Sequence, residues 1–228
     1  MLYSLTDLLS WPVQTGDQTG TLSDVLFDPA TRHLTHLALH TRADKDGSAL
    51  AAASRLEMPD PENRRLTVAI SDEELARAPH WRGDARDLDA LLTAMPPLVI
   101  GPFGATHAPL ALGGFLGTRA DGTETDPRAE AVIDRHQRFS RWRDRTVFTR
   151  DAEIGTLRDM LYDPEANRID YLVVDDGKFF GGKKYALPFS ALAHRAPGAK
   201  GGHLVLDLAE HDLVAAPSPE DLLEPARA

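Results

Sequence analysis

The sequence contains no cysteine, which excludes disulfide-stapled scaffolds, iron–sulfur clusters, thiolate zinc sites and a cysteine nucleophile. Aromatic residues are sparse at 7%, so each cluster of them carries weight. An excess of positive charge is also lacking: 25 Lys and Arg against 35 Asp and Glu give a formal net charge of −10. Such a chain is a poor generic ligand for a phosphate backbone, which argues against DNA and disfavours RNA or a ribosome as partner. An unbroken spanning segment is missing too. Residues 90–118 hold no Asp, Glu, Lys or Arg, but Pro96, Pro97, Pro102 and Pro109, with Gly101, Gly104, Gly113, Gly114 and Gly117, break any helix that would cross a bilayer. The opening MLYSLTDLLSWP has no basic leader and meets Asp7 before any long apolar run, so a cytoplasmic location is expected.

What is present is ordinary globular material, 228 residues with 42% hydrophobic and 26% charged, enough for one large domain or two small ones. An internal repeat decides between them. GTLSDVLFDPATRHLTHLALHT at 20–41 aligns with GTLRDMLYDPEANRIDYLVVDD at 155–176. Gly20 and Gly155, Asp24 and Asp159, Asp28 and Asp163 match, as do Pro29 and Pro164. LTVAISDEELARAP and LVLDLAEHDLVAAP, further along each copy, match after a short gap. The reading is a duplicated module: repeat 1 over 1–82, a linker over 83–142, and repeat 2 over 143–228 with a helical tail.

Each copy reads as short strands closed by a short helix. Leu22–Phe27 and Leu34–Leu39 flank Asp28-Pro29, a type I turn signal, and so form a hairpin. The apolar phase changes between Leu22 and Val25 and between Leu157 and Met160, which predicts a bulge or barrel corner in each copy. Ile169–Val174 is apolar on both faces except for Asp170, so its outer face needs a cover: the other repeat, or a helix of its own copy. Further strands are expected at 49–53, 66–70, 184–187 and 203–208. Ser71 with Glu74 forms a capping box, and Ser218-Pro219 opens a last helix.

The run Glu153-Ile154-Gly155, then Asp159, Asp163 and YLVVDDGKFFGGKKYALP, resembles the PRC-barrel family, and SLTDLLSWPVQTGDQTG is similar to its opening strand. The resemblance covers roughly 1–80 and 140–217 and occurs twice, as in tandem PRC-barrel proteins of bacteria. It implies two small β-barrels in a mainly β fold with short helices, joined by a Gly/Pro-rich linker. It also implies a module that binds other macromolecules, as in the cytoplasmic part of the photosynthetic reaction-centre H subunit or a ribosome-maturation factor. It brings no catalytic residues and no cofactor.

Within the linker, Leu88, Leu91, Leu92 and Met95 predict an amphipathic helix over 84–95, and a second is expected over 127–142. The latter runs into Arg138, Arg141, Trp142, Arg143 and Arg145, either a base-stacking surface or, better suited to an acidic chain, a solvated face paired with carboxylates. His33, His36 and His40 are spaced too far apart along a strand to chelate one ion, so no metal is expected. Gly181-Gly182-Lys183-Lys184 lacks the Ser/Thr of a phosphate loop and reads as a hairpin tip. Phe179 and Phe180 on that tip, with Lys183, Lys184 and Trp142, are the candidate partner contacts, since aromatics dominate interface energetics. Gly20, Asp24, Asp28, Gly155, Asp159 and Asp163 are expected to be structural.

The expectation is thus a non-enzymatic protein-binding or scaffold module, its repeats packed on each other or paired in a homodimer, with any membrane association peripheral and through a partner. Alternatives are a peripheral component related to reaction-centre H assembly or electron-transfer complexes, a ribosome- or RNA-associated assembly factor, and a small-ligand sensor.

Overall fold

The computed structural model describes residues 1–41, 47–81, 136–177, 182–196 and 202–223, and between them the two short strands Val99–Ile100 and Ala105–Thr106. The expected helix over 84–95 lies outside the described residues.

The first half holds β1 (Tyr3–Ser4), α1 (Leu5–Ser10), β2 (Pro12–Thr15), β3 (Gln18–Phe27), β4 (Leu34–His40), β5 (Ser48–Ala52), β6 (Leu66–Val68), α2 (Asp72–Arg77) and β7 (His80–Trp81). The strands Val99–Ile100 and Ala105–Thr106 are β8 and β9. The second half holds β10 (Gln137–Arg138), α3 (Phe139–Trp142), β11 (Thr146–Phe148), β12 (Glu153–Asp163), β13 (Arg168–Asp175), β14 (Lys184–Pro188), β15 (Leu192–Ala196), β16 (His203–Leu206), α4 (Glu210–Val214) and α5 (Pro219–Leu222). Local chemistry explains the boundaries. Asp28 accepts from the Ala30 N–H at 2.8 Å and sets the β3–β4 turn. Ser71 and Glu74 complete the capping box of α2, and Pro219 stands at the start of α5.

Two sheets of like plan result. One runs β6-β2-β3-β4-β5-β7 and the other β14-β13-β12-β11-β16-β15. Each contains one parallel pair, β2 with β6 and β11 with β16, inside an otherwise antiparallel order. The predicted bulges fall where the apolar phase changes: β3 slips against β4 between Leu22 and Asp24, and β12 against β13 between Leu157 and Asp159. A second slip in each, at Leu26/Phe27 and Leu161/Tyr162, keeps Phe27 and Tyr162 buried. Among the described residues no closed strand order forms where two barrels were expected: in the strand order β6 and β7 end one sheet and β14 and β15 the other, and β6 meets the chain after β5 through the Glu57 N–H donating to the Thr67 carbonyl and the Leu56–Val68 bridge.

The leading segments are exchanged. β1 pairs with β12 of the second sheet, Tyr3 opposite Tyr162, while β10 pairs with β3 of the first, Gln137 opposite Phe27. Of the expected helix over 127–142, residues 127–135 lie outside the described residues; at its end the expectation is corrected, since Gln137 and Arg138 are extended because their backbone groups extend the first sheet beside Leu26, and Phe139–Trp142 form one helical turn, α3. The hairpin ends also meet, with the Ile169 N–H donating to the Arg32 carbonyl at 2.8 Å and Asn167 Nδ2 to the Leu34 carbonyl at 3.1 Å.

A single apolar core spans both halves, from Leu5, Val13 and Phe27 through Trp142 to Leu157, Leu172 and Phe189. Phe27 meets Trp142 edge-on at 5.0 Å and Phe189 at 6.1 Å, and Trp142 stacks on Phe189 at 5.9 Å. The outer face of β13 is covered as well: Leu161, Val173 and Ala186 lie beneath Leu2, Leu222 and Leu223. The twice-apolar strand thus gains a cover from the N-terminal segment and α5.

Gly155 shows how tightly β12 and β13 approach. Its φ is +139°, and a Cβ there would fall inside the Asp175 carbonyl oxygen. Gly155→Ala is expected to cost about 3 kcal/mol or more in urea unfolding, against about 1 kcal/mol for Gly177→Ala, whose φ is +71° but whose Cβ would meet nothing within 4 Å.

Candidate functional site

The motif aspartates divide into two kinds. Asp28 and Asp163 begin turns, Asp163 accepting from the Glu165 N–H at 3.0 Å. Asp24 and Asp159, set on the bulges of β3 and β12, instead grip the exchanged segments. Asp24 is 3% exposed and accepts from the Ser140 N–H at 3.0 Å, from Ser140 Oγ and from the Val25 N–H at 2.9 Å, with Arg138 Nε at 3.5 Å. Asp159 accepts from the Thr6 N–H and Thr6 Oγ1, both at 2.9 Å, from Ser4 Oγ, and from the Met160 N–H at 2.8 Å. A carboxylate with charge-assisted bonds on both oxygens holds its donors more firmly than a neutral acceptor would. Gly20 completes the first motif: a Cβ there would stand 2.5 Å from the His40 carbonyl oxygen.

Of the expected contact residues, Trp142 does not join Lys183 and Lys184 at the surface. Trp142 is fully buried, with its Nε1 donating to Gln137 Oε1 at 3.1 Å, so it belongs to the core and cannot meet a partner. The arginines around it are held within the fold: Arg138 leans on Asp24 and lies 4.6 Å over the Trp81 ring, and Arg145 sits 5.6 Å over Trp142. Phe179 and Phe180 lie outside the described residues. Lys183 and Lys184 are exposed and stand together on the wall of a groove.

That groove, about 610 Å³, runs between the start of β14 and the α4–α5 turn. It is lined by apolar side chains of Tyr185, Leu213, Val214 and Ala216 and by polar ones of Lys183, Lys184, Ser218 and Glu220. Val214 is 90% exposed, an apolar side chain offered to solvent beside two cations. The sequence marked the lysines but gave no signal for Val214, which reads as one more apolar residue of a short helix.

Residues 135–214 match the PRC-barrel domain. The matched stretch begins just before β10 and ends with α4, and so includes the exchanged segment, all of β11–β16 and most of the groove. No curated protein matches the chain. Among the described residues no helix is long and apolar enough to cross a membrane, and no group of three His, Asp or Glu side chains is placed to hold a metal ion.

A second polar cluster joins the PRC-barrel stretch to the first sheet. His136 donates to or accepts from Thr35 Oγ1 at 3.1 Å through Nδ1, and its ring meets His36 edge-on at 5.1 Å. His36 is 5% exposed, and its Nδ1 has no hydrogen-bond partner. Burial, with the second imidazole beside it, pushes the His36 pKa from 6.5 down to about 4. Above pH 6.5 His36 is neutral in both folded and unfolded chains. As pH falls from 6.5 to 4 the unfolded chain takes up a proton that the folded one refuses, so stability is lost across that window. The loss is up to about 3 kcal/mol. Urea unfolding as a function of pH should show a shallower fall over this range in His36→Leu than in the native protein.

Proposed function

We propose that this protein is a non-enzymatic, protein-binding scaffold module built from two PRC-barrel-like units, with the groove beside β14 as its contact surface. The observation that carries the reading is the groove itself, which Val214, 90% exposed, lines together with Tyr185, Leu213, Ala216 and two exposed lysines. Apolar surface rimmed by charge is the usual composition of a recognition site between proteins. The match of residues 135–214 to the PRC-barrel domain supports a binding role for the half that holds the groove. The like order of the two sheets, the bulges at equivalent places and the repeated Gly, Asp and Asp-Pro positions support a tandem origin for the other half.

The lysines give the surface its sign. In a chain of net charge −10, a local pair of cations favours an acidic partner and speeds its encounter at low salt. Reversing them in Lys183→Glu/Lys184→Glu is expected to lower affinity for the physiological partner by roughly tenfold or more while leaving the urea midpoint unchanged. Capture from native extract at low salt, identification by mass spectrometry and titration with the purified partner would measure this. Equal affinity of the native protein and the double variant would refute the groove as the contact surface.

A further inference from the structure

The two halves treat their outer edge strands differently, and the difference falls on the groove. In the first half the Leu50 N–H of β5 donates to the Pro79 carbonyl at 2.9 Å, and the chain continues as β7, pairing His80 with Ala49 and Trp81 with Ser48. In the second half the Ala186 N–H of β14 donates to the Pro217 carbonyl at 3.0 Å. Leu50 lies opposite Ala38, and Ala186 opposite Val173, at the same place in the two ladders. Tyr185 and Lys184 are therefore the counterparts of Ala49 and Ser48. Beyond Pro217, however, the chain turns away: Ser218 caps α5, its Oγ accepting from the Asp221 N–H at 3.3 Å, and Pro219 at the start of the helix has no N–H to offer a strand.

The stretch of β14 that β7 would cover is the stretch that lines the groove. Direction along the strand is fixed by alternation: the Asp176 N–H donates to the Lys183 carbonyl, so Lys183 faces β13, whereas Ala186 faces Pro217. Lys184, two residues from Ala186, directs its backbone groups outward with it. We propose that an extended, acidic segment of a partner protein adds to β14 as an antiparallel strand alongside Lys184 and Tyr185, in the slot that β7 fills on β5. The inference rests on the protein-binding reading above and specifies its mode. Backbone bonds to Lys184 supply affinity that is indifferent to sequence, and alternate side chains supply selection. Successive side chains of a strand point to opposite faces, so carboxylates on one face of the added strand meet Lys184, and small apolar residues on the other lie toward Tyr185, Leu213 and Val214. Glu220, the acid that also lines the groove, disfavours a segment acidic on both faces.

The test uses the full chain, labelled with nitrogen-15, and three synthetic probes: acetyl-Glu-Val-Asp-Val-Glu-Val-Asp-amide, its counterpart with lysine at every acidic position, and the acidic peptide methylated on every backbone nitrogen. The acidic probe is expected to shift the amides of 182–186 and slow exchange at the Lys184 amide. The lysine probe should bind at least tenfold more weakly, and the methylated probe should not bind. Lys184→Pro removes the outward N–H without touching a bond to β13 and should weaken the acidic probe at least tenfold; Lys183→Glu/Lys184→Glu provides a second variant with the backbone intact. Unmoved amides at 182–186, or equal binding of the methylated probe, would overturn strand addition. Concentration-dependent protection of Lys184 in the free protein would overturn it in favour of a second copy of this chain. A captured partner that needs both lysines yet leaves the Lys184 amide unprotected would overturn strand addition while the protein-binding reading stands.

Discussion

Two carboxylates, Asp24 and Asp159, hold the fold in one piece. Each sits where a bulge turns a strand, and each receives hydroxyl and backbone donors from the opposite half: Ser140 reaches Asp24, and Ser4 and Thr6 reach Asp159. Without those acceptors, β1 and β10 would be two-residue strands with little else to fix them. With them, α1 and α3 are drawn over the core, and Leu5, Phe139 and Trp142 become wholly buried. A half taken alone would lose a strand from its sheet and would expose the surface on which the exchanged segment lies.

This exchange also explains why the core is continuous. Phe27 from one half packs on Trp142 and Phe189 from the other, and the hairpin ends share backbone hydrogen bonds at Arg32 and Ile169. The same reciprocity leaves each sheet free at its far edge. There the halves part company, since His80-Trp81 continues a strand and Ser218-Pro219 starts a helix. The groove is a consequence of that small divergence.

Much of the local structure was written in the residues. The Asp-Pro turns, the Ser71–Glu74 box, Pro219 and the shift of apolar phase at the bulges act within a few positions, and their chemistry has one reading. The exchange was not legible. Gln137-Arg138 has no strand propensity, and its extended form follows from backbone pairing with residues more than a hundred positions away. For the same reason the aromatic at 142 looked exposed among arginines when it lies at the centre of the molecule. The role of Asp24 and Asp159 was only half legible: the matching positions marked them as structural, but their partners stand in the opposite half. The lysine pair was legible, whereas the slot beside it depends on the path of the chain after Pro217, which no local pattern sets.

If the clasps make one cooperative unit, unfolding should be all-or-none. The most direct measurement is urea unfolding of the native protein and of Asp24→Ala, followed in parallel by tryptophan fluorescence and by amide exchange in both sheets. The account predicts coincident transitions for all probes in the native protein, and in Asp24→Ala a loss of about 2–4 kcal/mol shared by both sheets. Two separated transitions in the native protein, or a loss confined to the first sheet, would contradict it.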